Sequence, residues 1–184
     1  AAVIGRLVIE KPLTKPAKNV GDRLVIFGET DNDGNDTLYR AGLADEMRPA
    51  VALFDEEKAT MDAALEAIKT NKINACSDLG AAGIGAAVSE SVRFGGLGAR
   101  VDLAKAPVKR KDLTAEEVLI CETQARMIFQ VKPEDVDTIL EAARRNGVAA
   151  ADIGEITGGK EAVFTFKERE IARIPHQPPA ELAE

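Results

Sequence analysis

The sequence predicts one α+β domain in which helices and strands form mixed layers. Segments whose apolar residues recur at helical spacing alternate with short runs of branched residues, as in layered α/β architectures. Some neighbouring strands are separated by only a few residues, as in hairpins, so a purely parallel sheet is not expected. The chain has 184 residues, of which 45% are hydrophobic, and this is enough to bury a core.

The first elements are strands joined by polar loops. Residues 3–9 and 23–27 are rich in branched residues and predict strands. The polar, glycine-bounded residues 28–34 predict a loop. Its run of acidic and amide residues resembles a calcium-binding loop, but Gly42 occupies the position that requires a bidentate Glu. Calcium binding is therefore excluded.

The middle of the chain predicts two helices flanking a strand. Residues 56–70 carry the clearest helical pattern, and its apolar stripe is Met61, Ala64, Leu65 and Ile68. A short buried strand is expected at residues 73–77, before a glycine-rich turn at residues 78–83. The second helix begins at Ile84 and ends in residues 94–98, whose glycines tolerate left-handed backbone.

The last third predicts strands, two helices and a final hairpin. A strand is expected at residues 100–103 and another at 127–131. Thr114 and Glu117 have capping-box spacing, so a short helix should start near Ala115. Another helix opens at Pro133 and is stopped by Asn146-Gly147. The remaining strands are predicted at residues 148–156, 162–166 and 170–174, the last two as a hairpin. Residues 1–174 are expected to form the domain, and the proline-rich residues 175–184 a linker or tail.

Composition excludes several function classes. Twenty-four basic residues against thirty-one acidic ones give a net charge of −7, which disfavours a nucleic-acid surface. Cys76 and Cys121 have no C-x-x-C partner, so neither a thiolate zinc site nor a disulfide framework is indicated. No apolar run approaches membrane-spanning length. A cytoplasmic protein with reduced thiols is the simplest interpretation.

Two short segments carry the candidate chemistry. Asp78 ends a predicted strand beside a glycine-rich turn, where a carboxylate can hold Mg²⁺ and the next helix start can face a phosphate. On spacing alone, helix capping is the simpler role for Asp78. Glu122, Thr123 and Gln124 lie between a helix and a strand and could line a polar pocket or simply face solvent. The lone His176 has no nearby nucleophile, so His-based catalysis is not expected.

In order along the chain, several blocks resemble phosphoribosylformylglycinamidine synthase subunit II. They comprise residues 78–84, 89–91, 95–103, Pro107, 122–127 and 152–157, preceded by Gly28, Thr30, Asp33-Gly34 and Arg48-Pro49. The resemblance covers nearly the whole chain. It implies the C-terminal domain of the first half of such a synthase, with the fold of the aminoimidazole ribonucleotide synthase-like superfamily.

The resemblance also implies a reaction and its participants. ATP phosphorylates the amide oxygen of formylglycinamide ribonucleotide, and ammonia then displaces phosphate to leave an amidine. Asp78 matches a magnesium-binding Asp, while Glu122, Thr123 and Gln124 match a segment that contacts the ribonucleotide. The implied partners are a preceding N-terminal synthase domain, the second synthase half, a glutaminase that supplies ammonia and a small bridging subunit. No catalytic residue is expected in this piece, which should be inactive alone.

Three departures from the family pattern leave alternatives open. Ala52 stands where the family usually has Gln, residues 35–39 replace a glycine-rich stretch, and Thr123 replaces Ser. One alternative is another ATP-using relative, such as aminoimidazole ribonucleotide synthase, selenophosphate synthetase, thiamine-phosphate kinase or a hydrogenase maturation protein. A second alternative, of a different class, is a non-catalytic domain that binds nucleotide or scaffolds a complex.

Overall fold

A computed structural model describes residues 12–175. The strand expected at residues 3–9, His176 and the rest of the tail lie outside the described residues. The described part forms seven strands: β1 Arg23–Phe27, β2 Ile73–Asp78, β3 Gly98–Asp102, β4 Met127–Val131, β5 Ala150–Thr157, β6 Glu161–Phe166 and β7 Arg169–Pro175. It also forms five α-helices: α1 Asp36–Arg40, α2 Phe54–Lys69, α3 Gly83–Gly95, α4 Ala115–Ile120 and α5 Val136–Arg145.

All seven strands belong to one mixed sheet, in the order β2-β4-β1-β5-β3-β6-β7. Strands β3 and β6 pair in parallel, whereas the other neighbours are antiparallel. The expectation of mixed layers is confirmed, and so is the final hairpin of β6 and β7. None of the helices in residues 12–175 is long and apolar enough to cross a membrane.

The sheet buries both faces because its central strands are apolar at successive positions. Leu24 and Ile26 of β1 pack with α3 and α4 in one cluster, whereas Val25 and Phe27 pack with α2 and α5 in the other. Successive side chains of a strand point to opposite faces, so the two clusters lie on opposite sides of the sheet. The result is a helix–sheet–helix arrangement over the central strands β4, β1 and β5.

Helix α2 is confirmed, but only half of its predicted apolar stripe is correct: Ala64 is buried and Ile68 packs against the core, whereas Met61 and Leu65 face outward. Met61 is 55% exposed and Leu65 is 53% exposed. The fully buried residues of α2 are Thr60, Ala63, Ala64 and Ala67. Small side chains let α2 approach α5 closely, so the helix buries its alanine face and leaves Met61 and Leu65 outside.

The start of α4 and the end of α3 are those predicted from capping residues in the sequence. Thr114 and Glu117 form the predicted capping box of α4, and Gly96 ends α3 with φ 68°. Residue 103, expected in a strand, begins a short 3₁₀ turn instead, because the Asp102 carboxylate caps the Ala104 amide. Helix α1 was not predicted.

Candidate functional site

Three chain segments meet at one end of the β2-β4-β1 part of the sheet. They are the loop after β1 (residues 28–35), the turn after β2 (residues 79–83) and the segment before β4 (residues 121–126). Asp78 pairs with Met127 in the β2–β4 register, and the Leu79 amide donates a hydrogen bond of 3.3 Å to the Arg126 carbonyl. The sheet pairing therefore brings together blocks that are far apart in sequence.

Asp78 lies at the exposed tip of β2. Within residues 12–175 its carboxylate accepts no hydrogen bond and forms no ion pair. The capping role is not what the structure shows, because the N-cap of α3 is Ala82 and has no side-chain capping bond. An exposed carboxylate is a hard oxygen donor of the kind that Mg²⁺ prefers.

The turn between Asp78 and α3 is held in an unusual backbone conformation. Ala82 and Gly83 both have positive φ, 56° and 53° respectively, which is costly for alanine. The Ala82 amide donates to Glu122 Oε1 at 3.1 Å. A Cβ on Gly83 would lie 2.6 Å from the Cys121 carbonyl oxygen, so only glycine fits this close approach.

Glu122 joins this turn to the loop after β1. Its backbone amide donates to the Gly34 carbonyl at 2.9 Å. Gly34 has φ +59°, and a Cβ there would lie 2.8 Å from Glu122 Cβ. Gln124 is exposed, and its Nε2 donates to the Glu122 carbonyl at 3.1 Å. Glu122 and Gln124 thus lie at the surface where the three segments meet.

Thr123 is fully buried, and its hydroxyl forms hydrogen bonds with the loop after β1. Its hydroxyl donates to Asp33 Oδ1 at 2.6 Å and accepts from the Asp31 amide at 2.9 Å. The other oxygen of Asp33 accepts from the Val51 amide at 2.7 Å. Any influence of this hydroxyl on a ligand is therefore exerted through the position of the Asp31–Asp33 backbone.

Arg126 is a buried clamp that sequence reasoning missed as a site residue. Its guanidinium donates to the carbonyls of Thr123 at 2.8 Å and Cys121 at 2.6 Å, and to Thr30 Oγ1 at 2.8 Å. Burial lowers the pKa of Arg126 to about 10, so the group stays charged at neutral pH. No sequence signal separates this residue from an ordinary surface arginine, because its partners are mostly backbone carbonyls.

Arg48 fixes the other side of the loop after β1. Its Nε donates to the Asn32 carbonyl at 2.7 Å, and Nη2 pairs with Glu117 Oε1 at 3.0 Å. A cavity of about 450 Å³ lies on a different part of the sheet, but one of about 440 Å³ opens directly beside this loop. Residues lining the latter include Asp31, Asn32, Met47, Arg48, Val51 and Lys109.

The described residues do not form a complete protein metal site. No group of three or more His, Cys, Asp or Glu side chains in this part of the chain is arranged to hold an ion. Magnesium commonly uses one or two carboxylates together with ligand phosphates and water. Asp78 fits that use as a single protein donor.

The fold and these segments define a C-terminal domain of the type found in AIR synthase related proteins. Residues 19–167 match the family described as "AIR synthase related protein, C-terminal domain", so the chain belongs to that family. Its curated relatives include phosphoribosylformylglycinamidine synthase subunit PurL from Methanosarcina mazei, 36% identical over 183 residues, and from Haloquadratum walsbyi, 37% identical over 185 residues. They match 94% and 95% of this chain. The chain spans about a quarter of the length of these relatives.

Solved structures give the same family relationship. Thermotoga maritima PurL complexed with FGAR superposes with a TM-score of 0.82 and 27% identity, over 94% of this chain and 31% of that one. PurL complexed with ATP gives a TM-score of 0.79 and 28% identity, over 94% and 28%. Escherichia coli HypE shares the fold, with a TM-score of 0.64 and 19% identity over 93% and 55%. The resemblance noted from the sequence is confirmed.

Proposed function

We propose that this chain is a domain of an ATP-dependent, amidine-forming ligase of purine biosynthesis. In the proposed reaction, formylglycinamide ribonucleotide, ATP and ammonia give formylglycinamidine ribonucleotide, ADP and phosphate. The family membership and the PurL relatives support this assignment. So do the related structures, one complexed with FGAR and one with ATP.

One observation carries the proposal. The hydrogen bond of 3.1 Å between the Ala82 amide and Glu122 Oε1 joins the turn after Asp78 to the segment of Glu122, Thr123 and Gln124. Asp78, Glu122 and Gln124, which the resemblance assigns to a metal and to a ribonucleotide, therefore lie at neighbouring parts of one surface, with Thr123 buried beneath it. A phosphorylated ligand at this surface would have hydrogen-bonding groups on one side and the Asp78 carboxylate on the other.

The individual residues have distinct proposed roles. Asp78 would hold Mg²⁺ through one carboxylate oxygen, and the bound ion would neutralise phosphate charge during transfer. Glu122 and Gln124 present side chains to the ribonucleotide. Thr123 is a positioning residue, since its buried hydroxyl orients the Asp33 loop. Arg126 holds the same segment in place from below.

The proposed site is shared with polypeptide outside this chain. The chain spans about a quarter of the length of its PurL relatives, so we propose that further groups needed for catalysis come from elsewhere in such a synthase. We assign these to a preceding N-terminal synthase domain, with a second synthase half, a glutaminase and a small bridging subunit completing the assembly. We place the assembly in the cytoplasm, where purine synthesis uses soluble substrates.

The experiment is equilibrium binding of formylglycinamide ribonucleotide to the purified chain, with and without Mg²⁺. We expect Mg²⁺ to strengthen binding in the natural chain and to have little effect in Asp78→Asn. Asp137→Asn is the matched control, because Asp137 is an exposed acid in the first turn of α5, at the opposite end of the sheet. Equal Mg²⁺ dependence in all three proteins would contradict the proposal and favour a scaffolding domain.

A turnover assay completes the test. The chain supplied with ATP, Mg²⁺, ammonia and the ribonucleotide should form no amidine product, since the proposal assigns part of the site to polypeptide outside it. Measurable turnover would show that the chain carries a complete active site, contrary to the shared-site account.

A further inference from the structure

An exposed apolar surface lies beside the candidate site, and two of its residues, Met47 and Val51, also line the cavity there. Residues 39–59 include none that is buried, although they form a loop and the start of α2. Ten large apolar side chains are exposed within residues 12–175, and seven of them lie between Tyr39 and Leu65. Soluble proteins rarely gather exposed apolar side chains in this way without a partner.

Three side chains of this surface lie on one face of helix α2. Phe54, Met61 and Leu65 are 81%, 55% and 53% exposed, and their spacing places them on one face of the helix. At about 1.5 Å per residue the three cover roughly 16 Å of helix length. Met47 and Val51 lie just before Phe54 and line the mouth of the cavity described above. We call these five residues the α2 surface.

The surroundings of the α2 surface are strongly acidic. Residues 29–66 contain eleven acidic and three basic residues, and two further cations, Lys109 and Arg145, pair with Glu56 and Glu66, which leaves a net charge of −6 out of −7 for the whole chain. The remainder of the chain is therefore close to neutral. Asp45, Asp55 and Glu57 have no cationic partner among the described residues. This charge disfavours phosphate-rich partners such as nucleic acid or an anionic membrane.

We infer that the α2 surface docks a basic amphipathic helix from another protein domain. Apolar side chains of that helix would cover Phe54, Met61 and Leu65, and its Lys and Arg residues would face the acidic surroundings. A second copy of this chain is a poor occupant, because two surfaces of the same negative charge would oppose each other. The relatives carry about three quarters of their length outside the matched part, so further polypeptide is available. The inference is independent of the proposed reaction.

Peptide binding tests the inference directly. The probes are a labelled amphipathic helix of Leu and Lys and its counterpart of Leu and Glu, measured by fluorescence anisotropy with the intact chain. We expect binding of the Leu/Lys peptide only, weakened by salt. Met61→Ser and Phe54→Ser should each weaken it about tenfold. Phe94→Ser is the matched control, because Phe94 is also 52% exposed but lies on α3, and it should bind as the natural chain does.

Each other outcome overturns the inference. Equal binding of both peptides would remove the charge argument, and equal binding by Phe54→Ser and Phe94→Ser would place the contact elsewhere. Analytical ultracentrifugation of the chain alone tests whether the chain self-associates through this surface. Self-association that Phe54→Ser abolishes would identify a second copy as the occupant. If Mg²⁺-dependent ribonucleotide binding were not observed, the peptide-binding results would still test the α2 surface. Failure of the proposed function and failure of this inference can therefore be distinguished.

Discussion

Substitution of Gly83 tests how tightly the candidate site is assembled. In Gly83→Ala the new methyl group would lie 2.6 Å from the Cys121 carbonyl oxygen and 3.2 Å from that of Leu119. Positive φ costs alanine about 1 kcal/mol, and relieving the carbonyl contact requires the segment before β4 to move by several tenths of an ångström. We expect this displacement to add about 1–3 kcal/mol. The total loss of unfolding free energy should therefore be about 2–4 kcal/mol.

Gly96→Ala is the matched control for this prediction. Gly96 has φ +68° but no atom within 4 Å of a built Cβ, so it carries the backbone cost without the contact. In urea unfolding, the free energies of unfolding of the two variants should differ by about 1–3 kcal/mol, and their m-values should be the same. In Gly83→Ala the amide resonances of Ala82 and Glu122 should also shift. Equal stability loss in the two variants would refute the close-packing argument.

Three further predictions address buried groups. Arg126→Met should lower the free energy of unfolding by about 3–5 kcal/mol, because three buried acceptors lose their donor. Arg126→Lys should recover only part of this loss. A loss below about 1 kcal/mol for Arg126→Met in urea unfolding would contradict the clamp role. Burial raises the pKa of Cys121 to about 12 and also raises the pKa of Cys76, but Cys121 is buried whereas Cys76 is partly exposed. A thiol-reactive dye should therefore label Cys76 first, and equal labelling rates in the folded chain would contradict this. Thr114→Ala should cost about 1 kcal/mol by removing the cap of α4, measured as a lower urea midpoint, and an unchanged midpoint would argue against the capping box.

Much of the fold was predictable because its signals are local. The capping box of Thr114 and Glu117 depends on four neighbouring residues, and the strands β1 and β4 are marked by their own apolar runs. Which face α2 buries is a tertiary property. The apolar pattern predicted Met61, Ala64, Leu65 and Ile68, but packing in this cluster buries Ala63, Ala64 and Ala67 and leaves Met61 and Leu65 exposed. Helix α1 has five residues and was missed because so short a segment has no periodicity.

The turn of the final hairpin shows a similar limit. Lys167 and Glu168 both have positive φ, as in a two-residue hairpin turn that usually favours Asn or Gly. The hairpin was predicted from its strands, whereas its turn type could not be.

The candidate site was only partly predictable for the same physical reason. Asp78 and Glu122 were singled out from the sequence, and the structure brings their segments together. The hydrogen bond of Thr123 with Asp33 and that of Arg126 with Thr30 join residues 90 or more positions apart. Single-sequence patterns carry no information about such pairs.

Paramagnetic broadening by Mn²⁺ tests the central claim most directly. The claim is that Asp78 and the Glu122 segment form one divalent-ion-dependent ligand surface. With ribonucleotide present, substoichiometric Mn²⁺ should broaden the amide resonances of residues 78–83 and 122–124 first, and Asp78→Asn should abolish this selectivity. Broadening centred on another acidic region, or unchanged in Asp78→Asn, would contradict the account.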